Sequence, residues 1–335
     1  MAEMRVITIG EALIDLVRVA DSSGKKGGSP LFEANPGGAP ANVAVGLARL
    51  GVPSGFIGRV GNDLFGRLIR DIMSQAGVNT DGLRIDPNKP TTLAVVGLGE
   101  GGEREFLFYR NGTADVALDV GDVSVDYLRR GQVLHFGTVS LATASSRHAT
   151  LAAVHLAREL GLVISLDVNL RQSLWPGLEE ARAAVMSAVR LAHVVKASRE
   201  EVEFLTGQKH PEPASEMLME GGPGGPVLVL VTLGASGSYY RTAGGHFGPV
   251  PGMSVETVDT TGAGDAFTVA AWAEILRKVP ASALTPKAIA ALSEEDVKSV
   301  ARAGNAAGAV ATMRRGAIPA LPTRDELDSF LASHS

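Results

Sequence analysis

Short β-branched runs alternate with helical patterns along most of this 335-residue chain. Strands are expected at 5–9, 55–60, 132–136, 162–167, 192–196 and 227–232. Helices are expected at 40–50, 64–76, 145–160, 178–190, 199–205, 264–278 and 296–313. That alternation predicts an α/β fold built on a mostly parallel sheet with helices on both faces. Ligands then belong at the carboxyl ends of the strands. Two segments break the pattern, Leu13 to Asn35 and Thr92 to Arg110. Each reads as an antiparallel ribbon, the first around a polar loop at 21–30, the second around Glu100-Gly-Gly-Glu103. Together they predict a small β lid (13–35 and 92–110) over a large domain (1–12, 36–91 and 111–335). Ala281–Asp296 reads as a polar insertion without evident purpose.

Composition narrows the function. Hydrophobic residues make up 45% of the chain, enough for a large core. A net charge of −5 leaves no basic footprint for nucleic acid or an anionic membrane. No apolar run reaches membrane-spanning length, and the N-terminus passes directly into a strand, so a cytoplasmic protein is expected. The absence of cysteine removes disulfides, thiolate catalysis and thiolate metal sites. The seven histidines show no metal-ligand spacing, and His135, within an apolar run, reads as a core residue.

The most informative motif is Asp259-Thr-Thr-Gly-Ala-Gly-Asp265, followed directly by a helical apolar run. A helix start offers unpaired N–H groups and partial positive charge, and Gly262 and Gly264 let the backbone close around an anion. A carboxylate there suits a base that takes a proton from an attacking hydroxyl. Capping alone would also explain it. Asn35-Pro-Gly-Gly-Ala-Pro-Ala-Asn42 opens another helix; Gly37 and Gly38 permit close approach, and Asn42 suits sugar hydroxyls. Strand alternation places Asp167, Asn169 and Arg171 on one side of a strand end, with Arg171 free for a phosphoryl group or paired to Asp167. Ser198 and Glu201 have capping-box spacing, which leaves Glu201 open to a second role near Mg²⁺ through water. Thr232, Gly234 and Gly237 lie in a turn that fits nucleotide phosphates or a plain hairpin. Gly97-Leu-Gly-Glu-Gly-Gly102 has dinucleotide spacing but sits in a hairpin rather than at a helix start. Together these motifs point to phosphoryl transfer to a hydroxyl.

The same residues resemble the ribokinase-like (PfkB) carbohydrate kinases. Two signatures carry the likeness: Gly37-Gly-Ala-Pro-Ala-Asn42 with Gly58-Arg-Val-Gly-Asn-Asp-Leu-Phe-Gly66, and the Asp259–Asp265 motif. Phe108-Tyr-Arg110, Asn169-Leu-Arg-Gln-Ser-Leu-Trp175, Glu203-Phe-Leu-Thr-Gly207 and Gly316-Ala-Ile-Pro-Ala-Leu-Pro-Thr323 are most similar to fructokinases, with 2-keto-3-deoxygluconate kinases as the rival. The resemblance implies a doubly wound α/β domain with a β-sheet lid, a homodimer formed through the lid, ATP and Mg²⁺ as reactants, and K⁺ as a cofactor. It implies Asp265 as base, the amides of Gly262, Ala263 and Gly264 as anion hole, and Arg171 bridging to the phosphates. Asp15, Gly37, Gly38, Asn42 and Asn169 would hold the sugar with Arg110 nearby. Lys196, Glu201, Thr232, Gly234, Gly237 and Asn305 would serve the nucleotide. Asp259, Thr261, Ala311, Arg314, Gly316 and Ala320 would form the monovalent-cation site. The family's Asn-x-x-Glu motif has Ser198 in its first position here.

Overall fold

The computed structural model describes residues 4–19, 31–98, 104–220, 222 and 224–334. Both hairpin tips, 21–30 and 100–103, and most of the 97–102 glycine motif lie outside these residues. The chain begins with β1 (Val6–Ile9), β2 (Leu13–Val19), β3 (Leu31–Gly37), α1 (Ala39–Arg49), β4 (Ser54–Gly61), α2 (Leu64–Gln75) and β5 (Asn79–Asp86). Next come β6 (Leu93–Leu98), β7 (Arg104–Tyr109), α3 (Val125–Leu128), β8 (Val133–Gly137), α4 (Ala144–Glu159), β9 (Val163–Asp167), α5 (Leu178–Leu191), β10 (Val194–Ser198), α6 (Arg199–Thr206) and α7 (Pro211–Met219). It ends with β11 (Leu228–Thr232), β12 (Gly237–Thr242), β13 (Phe247–Pro251), α8 (Ala263–Lys278), α9 (Pro286–Ala290), α10 (Glu294–Thr312) and α11 (Arg324–Ser333).

Nine strands form the main sheet in the order β13-β12-β11-β10-β9-β8-β1-β4-β5. The strands from β11 to β5 are parallel, and β12 and β13 close one edge antiparallel. Alternate residues feed opposite faces. Val194, Leu228 and Leu230 pack with α1, α8 and α10, while Val195, Val229 and Val231 pack with α4, α5 and α6. Burial on both faces explains why these strands are apolar throughout rather than alternating.

The two ribbons join into one four-stranded sheet, β3-β2-β6-β7. Each ribbon is antiparallel as expected, but β2 meets β6 in parallel. The signature around Gly66 is structural. Asp63 caps α2 through Gly66 N–H at 2.8 Å and accepts Thr91 N–H at 2.7 Å, so it ties α2 to the base of β6. A side chain on Gly66 would lie 2.0 Å from the Gly61 carbonyl oxygen, which is why the position is glycine.

The expected strands and helices are all present, with boundaries shifted by one or two residues. The polar, glycine-containing edge strand β5 and the Pro-bearing β13 escape pattern reading because edge positions need little apolar content. Residues 281–296 are not a purposeless insertion: Leu284, Ile289 and Leu292 are buried in the core.

Candidate functional site

Two cavities meet at the start of α8. The first, of 370 Å³, lies under the lid at the carboxyl ends of the parallel strands. Glu11, Leu13 and Asp15 form one wall, Gly38, Ala39 and Asn42 from the α1 entrance another, and Asn169, Arg171 and Lys196 a third. The second cavity, of 470 Å³, is bounded by Thr232, Gly234, Gly237, Phe267 and Asn305. Both share Thr260 and Gly264. The carboxyl ends of the parallel strands thus open onto two joined compartments with a helix N-terminus at their junction.

Gly262 caps α8 with φ 77°, a left-handed value that glycine adopts at least cost. Its missing side chain also matters: a Cβ would lie 3.0 Å from Ala317 Cα. Asp265 occupies the first turn of α8 and is 9% exposed. Its Oδ2 accepts a 2.7 Å hydrogen bond from Asn42 Nδ2. Burial, then the neighbouring Asp167, raise the Asp265 carboxyl to about 6, against the opposing pull of Asn42, Lys196 and Arg171. That value suits a base working near neutral pH. Burial likewise raises Asp15 to about 6, with Arg171 opposing and Asp265 adding.

The cavity also contains a carboxylate that sequence reasoning missed. Glu11 is 3% exposed, and burial raises it to about 7. Its Oε1 accepts Ala39 N–H at 3.2 Å, at the first residue of α1. Period-two counting back from Asp15 would have found both Glu11 and Leu13, which line the same wall. Val139 also faces this cavity and carried no signal of its own, while Phe108 and Ala317 belong to motifs of the family resemblance.

The expected residues divide as follows. Asp15, Gly38, Asn42, Asn169, Arg171, Gly262, Gly264 and Asp265 line the first cavity. Gly37 stands behind Asp15, and a Cβ on it would meet Asp15 Oδ2. Thr232, Gly234, Gly237, Ala263 and Asn305 line the second cavity. Asn305 donates to the Val250 and Pro251 carbonyls at 3.1 Å each, which fixes the end of β13 against α10.

Three placements differ from expectation. Lys196 faces the first cavity rather than the second. Asp167 does not share a side with Asn169 and Arg171 and pairs with Lys196 at 3.1 Å instead of with Arg171. The strand stops at Asp167, and Asn169 has φ 37°, the one left-handed non-glycine among the described residues, so the period-two rule no longer applies. Arg110 is not on the cavity wall: its Nε reaches Asp115 at 2.7 Å and its Nη1 the Val139 carbonyl at 3.2 Å. Glu201 takes the capping role that its spacing allows: its two oxygens accept Leu170 N–H and Ser198 N–H, each at 2.7 Å. The capping box is formed, and the same carboxylate braces the Asn169–Arg171 loop.

Asp259, Thr261 and Gly316 converge as expected. Asp259 Oδ1 accepts Thr261 N–H at 2.7 Å and Oδ2 accepts Gly316 N–H at 3.1 Å. Arg314 turns its side chain to Glu326, and Ala311 and Ala320 are buried nearby in sequence. Among the described residues no cluster of three acidic or histidine groups could hold a metal ion by side chains alone. His135 is the satisfied core residue expected, with Nδ1 2.8 Å from Ser165 Oγ.

Residues 4–324 match the model of the pfkB family carbohydrate kinases. The chain belongs to that family. It is 42% identical to fructokinase-1 of Zea mays over 323 residues, covering 96% of each chain. Among solved structures it is similar to a fructokinase with bound ATP from Xylella fastidiosa (31% identity, TM-score 0.87, 98% of both chains). It is also similar to a fructokinase double mutant from Vibrio cholerae O395 in fructose, ADP and potassium ion bound form (36% identity, TM-score 0.84, 99% of both chains). The kinase therefore has the fold and the paired cavities of an enzyme that brings a sugar and a nucleotide together.

Proposed function

We propose that this kinase transfers the γ-phosphoryl group of ATP to D-fructose, giving fructose 6-phosphate and ADP. The observation that carries the reading is the junction at Gly264, where two cavities meet at a helix N-terminus beside a buried carboxylate. The fructose-bound and ATP-bound relatives supply the two occupants. Three carboxyl groups, from Glu11, Asp15 and Asp265, face the first cavity. Arg171 and Lys196 share that cavity, so the preference for fructose over 2-keto-3-deoxygluconate is supported by the fructose-bound relative rather than by charge.

Asp15, Asn42 and Asn169 are placed to accept and donate hydrogen bonds to sugar hydroxyls. Asp265 takes the proton of the attacking hydroxyl. The amides at Gly262, Ala263 and Gly264 receive charge on the γ-phosphoryl oxygens. Arg171 reaches the same space from the Asn169 loop. The lid strands carry Leu13, Asp15 and Phe108 over the sugar, so their closure excludes water that would otherwise be phosphorylated in its place.

Mg²⁺ fits as a partner of the nucleotide phosphates rather than of a protein cage, since Glu201 already bonds two backbone amides and would meet it through water. When bound, it would neutralise charge on the phosphates. K⁺ fits a loop site of carbonyl oxygens organised by Asp259, whose carboxylate fixes the two loops at Thr261 and Gly316. It would add positive charge beside the anion hole. Leu31, Phe32, Leu107 and Tyr109 are exposed on the lid, and a second copy of the chain would cover them in a lid-to-lid dimer. The reading carries a cytosolic location with it.

The test is an ADP-release assay with Mg-ATP against fructose, 2-keto-3-deoxygluconate, ribose and glucose. A kcat/KM preference for fructose is expected. Preference for the keto-deoxy acid would refute the substrate, and silence on all four would refute the activity.

A further inference from the structure

A third cavity, of 710 Å³, is larger than either of the two at the α8 N-terminus. Arg5 and Pro53 line it, the residues just before β1 and β4, so it opens at the amino end of the parallel strands. The substrate cavities open at the carboxyl end, and the phosphotransfer chemistry proposed above leaves this one without a role. Its floor is aliphatic, with Leu50, Ala273 and Leu327 buried. Its rim is ionic: Arg5, Arg277, Arg302 and Arg324 stand with Glu274 and Asp328. Glu274 is already matched. Arg277 gives it two bonds, at 2.7 and 2.6 Å, Ser299 Oγ gives a third at 2.7 Å, and Lys278 Nζ stands 3.8 Å away. Among the described residues that leaves Arg5, Arg302 and Arg324 against Asp328, which is 3.7 Å from Arg324. Arg302 and Arg324 are each aimed by a bond to a backbone carbonyl, of His334 at 2.7 Å and of Leu50 at 3.2 Å. A guanidinium has five N–H donors, so both keep donors for a ligand.

We propose that this cavity binds a small organic phosphate, with its phosphate on the arginine rim and its carbon body on the aliphatic floor, and that occupancy is felt at the active site. Guanidinium forks match phosphate oxygens two at a time, which a lysine rim would not do. The volume lies within the range of small-molecule sites, and the mixture of an apolar floor with a few fixed polar groups is their usual composition.

Two helices connect the sites. α8 begins at the anion turn with Asp265 and reaches this cavity with Ala273, Glu274 and Arg277, about 14 Å along the helix axis. α10 brings Arg302 to this cavity and, one turn later, Asn305 to the second cavity. Glu274 ties the two helices together through Ser299. A phosphate that draws Arg277 away from Glu274 alters that tie. Ligands at the two ends of the same helices then change each other's affinity by the same factor.

Calorimetry tests the site, with both substrate cavities filled by saturating Mg-ADP and the sugar that the enzyme phosphorylates. The probes are phosphoenolpyruvate, 3-phosphoglycerate and fructose 1,6-bisphosphate, with inorganic phosphate as the arm that lacks a carbon body. At least one probe is expected to bind with Kd below about 1 mM, and more tightly than inorganic phosphate. Arg302→Glu should weaken it at least about tenfold. Arg190→Glu makes the same charge change on exposed α5, across the sheet, and should leave affinity unchanged. Both variants should keep the wild-type kcat without probe, which shows that they are folded. If Arg302→Glu does not fold, Ala332→Glu at the exposed rim of the cavity replaces it. The bound probe should shift KM for ATP at least about twofold in the wild type and leave the rim variant unmoved. Silence from all three probes, binding no tighter than that of inorganic phosphate, or equal weakening by Arg302→Glu and Arg190→Glu overturns the site. Binding with kcat and KM unchanged overturns the coupling. An inactive wild type would sink the phosphotransfer reading instead, and calorimetry would still decide the site.

Discussion

Replacing Asp265 with asparagine should make this enzyme slower and more stable at once. The carboxyl is raised from 3.8 to about 6, with burial as the main cause. A shift of about two units corresponds to roughly 3 kcal/mol of differential interaction. The folded protein therefore binds more protons at this site than the unfolded chain between about pH 4 and 6. Stability from this group is lost as pH rises through that window, and the full cost is carried above it. Asparagine is nearly isosteric and neutral, and its side-chain oxygen can still accept the bond from Asn42 Nδ2. At pH 8 the variant should gain up to about 3 kcal/mol, which for 335 residues raises the unfolding midpoint by roughly 4 °C. The gain should shrink to about half at pH 5 and nearly vanish by pH 4. With Asp265 as the proposed base, kcat should fall at least ~10²-fold. Thermal unfolding of the ligand-free enzyme across pH, beside initial rates, measures both. No gain at pH 8, or one unchanged at pH 4, would refute the argument that the buried charge is a burden. A near-normal kcat would refute the base assignment.

Three further outcomes follow from the same geometry. Asp115→Ala strands the Arg110 guanidinium, which is buried against Asp115 and the Val139 carbonyl, and should cost about 3–5 kcal/mol by chemical denaturation. Gly262→Ala, at φ 77° and 3.0 Å from Ala317 Cα, should cost about 1–3 kcal/mol and lower kcat more than it raises KM for either substrate, because it would displace the proposed anion hole. Rates in rigorously K⁺-free buffer should fall several-fold and recover on adding KCl; equal rates with and without K⁺ would refute the cation site proposed at the Asp259 loops.

The sequence by itself determined the α/β class, the paired ribbons and the helix start carrying Asp265. Each of these rests on local physics: apolar runs buried on two faces, turn glycines, and a backbone that can cap an anion only where side chains are absent. Asp15, Asn42 and Asn169, which it singled out, all line the first cavity. Tertiary structure decided what lies opposite what. Glu11 was legible in principle, two and four residues before Leu13 and Asp15, yet nothing local says that this face of β2 closes a cavity. Asp167 and Lys196 are 29 residues apart, and their pairing exists because β9 and β10 align in parallel register. Arg110 has a side chain suited to ligands, and its Nε and Nη1 go to Asp115 and the Val139 carbonyl, while the capping carboxylate of Glu201 also reaches Leu170 N–H, 31 residues back. Charge chemistry is written in residue type, but whether a charge is spent on a substrate or on the fold depends on neighbours that only the folded chain supplies.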